Sequence, residues 1–229
     1  MAQALNCISS MATRHILAEI AAAHGAATGR KVAVNSMGGV DAAKRVEGGE
    51  SVDVVVLAAD ALAKLARGGF VRAETIVDIA RSALAAAVKA GVAKPDLSSD
   101  DSAKRALLGA RAIAYSTGPS GDHIVALFKR WEIFAAIEAR LVKAPPGVPV
   151  GKLVADDAAE IGFQQLSELQ GLPGIEIVGS LSPSLRAVTS FAAGVAASAA
   201  DAQAAAGFIA ALRAPAARDV YTRHGMEPA

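Results

Sequence analysis

Short apolar runs that alternate with helical patterns constrain the fold of this chain more than any other feature. In the N-terminal third these runs are Ala4–Ile8, Lys31–Asn35 and Val52–Leu57, and each is followed by a helical pattern. Val52–Leu57 is rich in β-branched residues, as expected for a strand that is buried on both faces. Because parallel strands need crossover helices between them, this order predicts an α/β fold with a parallel sheet.

A second set of alternating elements follows an extended segment at Ile76–Val88 and a polar link. The later strands are predicted at Ala112–Tyr115, Glu160–Phe163 and Ile175–Val178, before an apolar stretch at Val188–Val195. Two sets of βα units joined by two long extended segments predict two α/β lobes. Lobe 1 is expected to comprise residues 1–81 and 188–229, and lobe 2 residues 82–187, with hinge crossings near 80–88 and 185–192.

Composition excludes several classes of function. With 229 residues, of which 53% are hydrophobic, the chain can bury a sizeable core. Its formal net charge is only +1 and its charges are interspersed, which argues against a nucleic-acid partner. The Ala-rich stretch Phe191–Ala211 is interrupted by Ser198, Asp201 and Gln203, so no membrane insertion is predicted. We expect a monomer.

Metal and cofactor sites are not expected either. The single Cys7 excludes an intramolecular disulfide and a cysteine-based metal cluster. The four histidines, His15, His24, His123 and His224, have no metal-ligand spacing. Glycine-rich nucleotide-binding motifs and the serine-hydrolase motif do not occur. We therefore predict no metal and no cofactor.

Three junctions between a strand and a helix share serine and glycine residues, and these are the candidate anion-binding sites. At such a junction the first-turn N–H groups have no intrahelical partner, and the helix dipole favours negative charge. Hydroxyl groups add donors, and glycines allow the backbone to approach a ligand. The candidate residues are Ser9, Ser10 and Met11, then Ser36, Gly38 and Gly39, and then Ser116, Ser120 and Gly121. The alternative is that these serines only cap helices and the glycines only form turns.

Two further candidates lie outside these junctions. Arg81 and Ser82 lie within an apolar extended segment, where a guanidinium is unusual unless it faces a ligand; the alternative is an ion pair with Asp78 or Asp53. Gln164 and Gln165 follow the strand predicted to end at Phe163, so their amides are candidate donors. The alternative for this pair is a polar surface turn.

Both ends of the chain resemble a known family. The stretch Ala206-Gly207-Phe208-Ile209, together with Gly225-Met226-Glu227-Pro228, is similar to the closing helices of molybdate-binding-protein-like solute receptors. The initial strand, serine loop and helix also resemble this family, as does the stretch from Val46 to Val56. The resemblance implies a two-lobed type II periplasmic-binding-protein fold, with mixed sheets flanked by helices and a cleft between the lobes.

The resemblance also implies a function. It would be capture of a small anion in the cleft for an ABC-type importer and its membrane permease. Gly38-Gly39 stands where molybdate binders place a serine hydroxyl, and Phe163-Gln164 replaces their tyrosine donor. These departures, with Arg81, favour a small organic carboxylate over molybdate, because a guanidinium clamps a carboxylate through two hydrogen bonds.

An enzyme on the same fold is the main alternative, because a few relatives of this family isomerise tricarboxylates such as aconitate. Tyr115 or His123 would then be the proton-transfer candidate. A ligand-sensing domain of a transcription regulator would share the fold, but no DNA-binding segment accompanies it. Met1-Ala2-Gln3-Ala4 leads directly into the first strand without a leader pattern. We therefore expect a periplasmic protein if a leader has been removed, and a cytoplasmic one otherwise.

Overall fold

The computed structural model describes residues 4–229. Within them the chain forms two compact units: unit 1 comprises the residues up to Ser82 together with Ser190–Ala229, and unit 2 comprises Ala83–Thr189. The sequence placed the corresponding boundaries at 81/82 and 187/188, and residues 1–3 of the expected lobe 1 lie outside the described residues.

The elements alternate along the described chain. The strands are β1 (Leu5–Ser10), β2 (Val32–Met37), β3 (Val54–Ala58), β4 (Val77–Lys89), β5 (Ile113–Tyr115), β6 (Leu141–Lys143), β7 (Ile161–Gln165), β8 (Ile175–Ile177), β9 (Val188–Val195) and β10 (Glu227–Pro228). The α-helices are α1 (Arg14–Thr28), α2 (Gly39–Glu47), α3 (Ala59–Arg67), α4 (Asp100–Gly109), α5 (Pro119–Arg130), α6 (Phe134–Ile137), α7 (Val150–Ala155), α8 (Leu166–Leu169), α9 (Ala202–Leu212) and α10 (Pro215–Arg223). Short 3₁₀ turns occupy Met11–Thr13, Ala73–Thr75 and Glu138–Arg140.

Unit 1 is built on a mixed sheet with both faces covered. Its strand order is β2-β1-β3-β9-β4; β1 is parallel to β2 and β3, β9 is antiparallel to β3, and β10 pairs with β4. Side chains alternate along β3, so that Val54 and Val56 join the core under α1, α9 and α10, whereas Val55 and Leu57 join the core under α2 and α3. The β-branched run that predicted a doubly buried strand is therefore the centre of this unit.

Unit 2 repeats the α/β arrangement on a smaller scale. Its strand order is β4-β7-β5-β6; β5 is parallel to β6 and β7, while β7 and β8 are antiparallel to β4. Phe163 of β7 packs edge-to-face on Phe128 of α5, with ring centroids 6.3 Å apart. On the other face of β7, Gly162 leaves room for Val150 of α7, because a Cβ there would lie 2.5 Å from that side chain.

Local sequence signals account for several helix ends. The Ser99 and Ser102 side chains form a reciprocal capping box at the start of α4, and Asp201 caps α9 by accepting a hydrogen bond from the Ala204 N–H. Pro119 and Pro215 stand at the first positions of α5 and α10. Gly29 ends α1 with a φ of 72°, which a residue with a side chain rarely adopts.

Several predicted element boundaries were wrong. Ser9 and Ser10 lie in β1 and not in a loop, and β2 extends through Ser36 to Met37. The structure also contains two elements that were not predicted, the strand β6 and the helix α7, which begins at Val150. Extended backbone continues further in each strand because pairing with a neighbouring strand outweighs the local turn preference of serine.

Candidate functional site

Three serines lie together at the carboxyl ends of two neighbouring strands of unit 1. The parallel register of β1 and β2 places Ser9 directly opposite Ser36, and their hydroxyl oxygens are 2.7 Å apart. Ser10 is the last residue of β1 and precedes the 3₁₀ turn that leads into α1. We call Ser9, Ser10 and Ser36 the unit 1 serine cluster. It lies at the strand edge where open α/β sheets bind ligands.

Ser10 is the member of the cluster with an unused hydroxyl. It is 7% exposed, and its Oγ is buried without a hydrogen-bond partner among the described residues. It does not cap the following helical turn, although it occupies the cap position. Instead, its carbonyl oxygen accepts a hydrogen bond from the buried Thr13 hydroxyl at 3.1 Å, which fixes the turn. A buried hydroxyl without a partner is unusual and is free to donate to a ligand.

The second predicted junction contributes backbone at the start of α2. Gly38 precedes α2 and Gly39 is its first residue, and neither has a positive φ. A Cβ on Gly39 would lie 3.8 Å from the Cβ of Ser10, so this helix start lies beside the serine cluster. Met11 is half-buried at the start of the 3₁₀ turn.

Arg81 and Ser82 lie at the end of the unit 1 part of β4. Arg81 is exposed, and it stands opposite Glu227 in the register of β4 with β10. Among the described residues it forms no ion pair with Asp53 or Asp78. Asp53 instead accepts hydrogen bonds from the backbone N–H groups of Asn6 and Ala200.

The buried Ser82 follows Arg81 directly. Its neighbour in the chain, Ala83, is the first residue of unit 2, so Ser82 ends the unit 1 part of β4.

A second hydroxyl pair lies at the corresponding edge of unit 2. Ser116 follows β5, Ser120 lies in the first turn of α5, and their buried hydroxyl oxygens are 2.8 Å apart. We call these residues the unit 2 serine pair. Gly118 adopts a φ of 120° just before the helix, and Gly121 packs against the Ser116 carbonyl so closely that no side chain fits. Within the contact between Ser9 and Ser36, and likewise between Ser116 and Ser120, one hydroxyl donates to the other. The hydroxyl that accepts keeps its own proton, which it can donate to a ligand.

Gln164 and Gln165 are the last two residues of β7 and do not follow it, so their side chains point to opposite faces. The Gln164 amide oxygen accepts from the Val150 N–H at 2.8 Å, and its nitrogen donates to Glu168 at 2.7 Å. Gln164 therefore ties α7 and α8 to the sheet. The Gln165 nitrogen donates to the Thr189 hydroxyl at 2.7 Å, while its oxygen is buried without a partner among the described residues.

The two proton-transfer candidates differ in their surroundings. Tyr115 is half-buried at the end of β5, next to the unit 2 serine pair. The Nε2 atom of His123 lies 3.0 Å from the Ser184 carbonyl oxygen, and the Ser184 hydroxyl donates to Asp100 at 2.6 Å. This hydroxyl is the main reason that the pKa of Asp100 lies below its ordinary value. His123 thus holds the segment before β9, and its Nε2 is already engaged.

The remaining titratable groups lie elsewhere. Burial raises the pKa of the Cys7 thiol to about 12, as expected for a cysteine inside the unit 1 core. Within residues 4–229 no group of three or more His, Cys, Asp or Glu side chains is arranged to hold a metal ion. In the same range, none of the helices combines the length and the apolarity that a membrane crossing requires.

Sequence reasoning did not identify Thr189 as the partner of Gln165 and did not distinguish the two glutamines. Thr189 lies in β9, 24 residues after its partner Gln165, and nothing in the local sequence distinguishes it from an ordinary strand threonine. The alternation of side chains along β7 would have distinguished the two glutamines. Gly162 and Gln164 share the face that α7 covers, whereas Gln165 lies on the opposite face.

Solved structures show which class of protein has this fold. The periplasmic molybdate-binding protein of Azotobacter vinelandii superposes with a TM-score of 0.77 at 22% identity, over 97% of this chain and 98% of that one. A tungstate-binding protein from Desulfovibrio alaskensis gives a TM-score of 0.67 at 17% identity, over 100% and 99%. The fold predicted from the sequence, of the periplasmic-binding-protein type with mixed sheets flanked by helices, is confirmed.

Sequence comparison shows the family to which the chain belongs. Residues 5–227 match the family described as bacterial extracellular solute-binding protein, and the chain belongs to it. A relative from Pseudomonas sp, named aconitate isomerase, is 38% identical over 191 residues, which are 81% of this chain and 72% of that protein.

Proposed function

We propose that this protein is a solute-binding protein for a small organic anion, of the tricarboxylate class, which it delivers to an ABC-type importer. The observation that carries the proposal is the Ser10 hydroxyl, which is buried without a partner beside the start of α2 and the Ser9–Ser36 pair. Such an arrangement leaves a donor that no group of the described residues satisfies and that a ligand can use. Periplasmic function is part of the proposal and rests on the extracellular solute-binding family.

Two observations favour a carboxylate over an inorganic oxyanion. The relative that shares 38% of its residues over most of the chain is named for aconitate, whereas the molybdate and tungstate binders are only 17–22% identical. Arg81 adds an exposed guanidinium at the end of the unit 1 part of β4. A guanidinium matches the planar geometry of a carboxylate.

A thermal-shift screen tests this proposal. The panel contains cis-aconitate, trans-aconitate, tricarballylate and citrate, with malonate, molybdate and tungstate for comparison. A ligand at 100 times its Kd stabilises the folded state by about 2.7 kcal/mol. For a chain of this length that corresponds to a rise in Tm of about 5–11 °C. If no acid in the panel raises Tm while molybdate does, the carboxylate assignment is wrong; if nothing raises Tm, the receptor function is wrong.

Ser10→Ala shows whether the screen reports on the candidate site. Loss of a hydrogen bond to a charged ligand costs about 1.5–3 kcal/mol, so we expect a Kd roughly 10–100 times higher, measured by titration calorimetry. The Tm of the ligand-free protein should not fall, because the deleted hydroxyl has no partner to lose. Ser51→Ala is the matched control, since Ser51 is an exposed serine of the same unit. Equal affinities of Ser10→Ala and parent would remove Ser10 from the site.

Isomerisation of the bound tricarboxylate is the second candidate, and the named relative favours it. In aconitate a base removes a proton from the CH₂ carbon, the double-bond electrons shift by one carbon, and the proton returns to the far CH carbon. The double bond thereby migrates and can re-form with either geometry, with no change in composition. Tyr115 is the better placed candidate for this transfer, because His123 Nε2 is engaged by the Ser184 carbonyl.

Proton NMR in deuterated water distinguishes the two functions. An isomerase would interconvert cis- and trans-aconitate and introduce deuterium at the CH₂ carbon, and Tyr115→Phe would slow both processes. A receptor would bind the acids, raise Tm and leave the spectra unchanged over hours. Binding with neither interconversion nor exchange would therefore eliminate the enzyme.

A further inference from the structure

The side-chain amide of Gln165 is buried, but only its nitrogen forms a hydrogen bond with the described residues. Gln165 is 4% exposed; its Nε2 donates to the Thr189 Oγ1 at 2.7 Å, and its Oε1 has no partner among the described residues. Buried amide oxygens almost always accept a hydrogen bond, so an unused one requires an explanation. Thr189 and Gln165 both belong to unit 2.

The position of Gln165 on β7 indicates what its amide faces. Phe163 and Gln165 are two residues apart and share a face, and Phe163 packs on Phe128 of α5. Since α5 follows β5, and β5 runs parallel to β7, the first turn of α5 lies at the edge where β7 ends. Gln165 is therefore on the α5 side of the sheet, at the edge that carries Ser116 and Ser120.

The Thr189 hydroxyl can support either orientation of this amide. A threonine hydroxyl both donates and accepts, and an amide that turns about its last side-chain bond exchanges its oxygen for its nitrogen with little change of shape. In the orientation described, Thr189 accepts from Nε2 and leaves Oε1 unused. In the opposite orientation, Thr189 donates to Oε1 and leaves Nε2 free to donate.

We infer that Gln165 and Thr189 form a specificity-determining pair, in which Thr189 orients the Gln165 amide so that Nε2 donates to a carboxylate oxygen of the ligand. The inference rests on the proposed function. Ligand binding then reverses the existing hydrogen bond, so that Thr189 donates to Oε1, and adds one hydrogen bond, from Nε2 to the carboxylate. Gln164 takes no part, because its amide holds Val150 and Glu168 on the opposite face.

Four variants test the pair by calorimetry with tricarballylate, trans-aconitate and citrate. Gln165→Met should bind all three acids at least tenfold more weakly, since a hydrogen bond to a charged group is lost. Thr189→Val should weaken binding about fivefold, whereas Thr189→Ser keeps the hydroxyl and should bind like the parent. In the absence of ligand, Gln165→Met should unfold only about 2–4 °C below the parent, because it removes one hydrogen bond, to the half-buried Thr189, and an acceptor that was already unused.

Gln164→Met is the matched control. It should unfold at least 4 °C below the parent, because it leaves the buried Val150 N–H without a hydrogen-bond acceptor. If Gln165→Met is destabilised as much as Gln164→Met, or binds tricarballylate like the parent, the inference is wrong. A loss confined to citrate would mean that Oε1 accepts from a ligand hydroxyl, which also overturns the carboxylate assignment. If the parent binds none of the acids, the proposed function fails first and the carboxylate assignment fails with it.

Discussion

Gly121 offers the sharpest test of how closely α5 is held against the end of β5. It is the third residue of the helix, and a Cβ placed on it would lie 1.8 Å from the Ser116 carbonyl oxygen. Cβ atoms essentially never approach other heavy atoms within 3.0 Å, so the Gly121→Ala variant must open a gap of at least 1.2 Å. The nearest atoms are backbone atoms of the junction, which cannot rotate out of the way as a flexible side chain would.

The cost follows from this geometry. Overpacking in a well-packed region typically costs about 1–3 kcal/mol, and a clash with backbone belongs at the upper end. We expect Gly121→Ala to lose about 3 kcal/mol of unfolding free energy, or about 6–12 °C in Tm. The same displacement separates Ser116 from Ser120, whose hydroxyl oxygens are 2.8 Å apart, so ligand affinity should fall as well.

Urea denaturation at 25 °C with circular dichroism measures the stability, and calorimetry measures the affinity. Gly207→Ala is the matched control: Gly207 lies inside α9, and a Cβ there meets nothing within 4 Å. That variant should gain about 0.5–1 kcal/mol, because alanine is the better helix former. If Gly121→Ala is as stable as Gly207→Ala, the close contact between α5 and the Ser116 carbonyl does not exist in solution.

Three further predictions concern single side chains. Tyr221→Phe should lose about 1–2 kcal/mol in urea denaturation, since the buried Leu212 carbonyl loses the hydroxyl that donates to it at 3.0 Å; an unchanged midpoint would contradict this. The hydrogen bond from His224 holds the pKa of Glu19 below its ordinary 4.5, so its stabilising effect is present above about pH 4.5 and is lost as pH falls below it. The Tm difference between parent and Glu19→Gln should therefore vanish on acidification, and a constant difference would refute the assignment. Arg81→Ala should weaken tricarboxylate binding about tenfold in calorimetry, with partial rescue by Arg81→Lys; parental affinity would make Arg81 a structural residue.

The sequence predicted those parts of the fold that depend on one segment at a time. The strand predicted at Val52–Leu57, observed at Val54–Ala58, was recognisable because a strand covered on both faces needs apolar side chains at successive positions. The strand β6 and the helix α7 were missed because they are short and are flanked by Pro145, Pro146 and Pro149, which are typical of loops. Their conformation depends on tertiary partners, such as the Gln164 amide that accepts from the Val150 N–H.

In the candidate site, too, the sequence predicted local features but not contacts between distant segments. Serines before helices were recognisable as donors, but the contact between Ser9 and Ser36 depends on which strands are neighbours and in what register. The sequence left open whether Arg81 faces a ligand or an acidic partner, because only the alternation along β4 turns it outward while Ala80 and Ser82 are buried. Contacts between distant segments cannot be derived from local pattern alone.

The division of the chain into units also sets an order in which they can form during synthesis. Unit 2 is one continuous segment, Ala83–Thr189, whereas unit 1 needs β9, which lies between β3 and β4 in its sheet. A growing chain that emerges from its N-terminus therefore has all of unit 2 before β9, the strand that joins β3 to β4, is complete. Until residue 195 is available, β3 presents an apolar, unpaired edge of five residues, the kind of surface that chaperones shield and through which chains aggregate. Non-local closure of this kind is slow, so unit 1 has a built-in delay between the appearance of β3 and its pairing with β9.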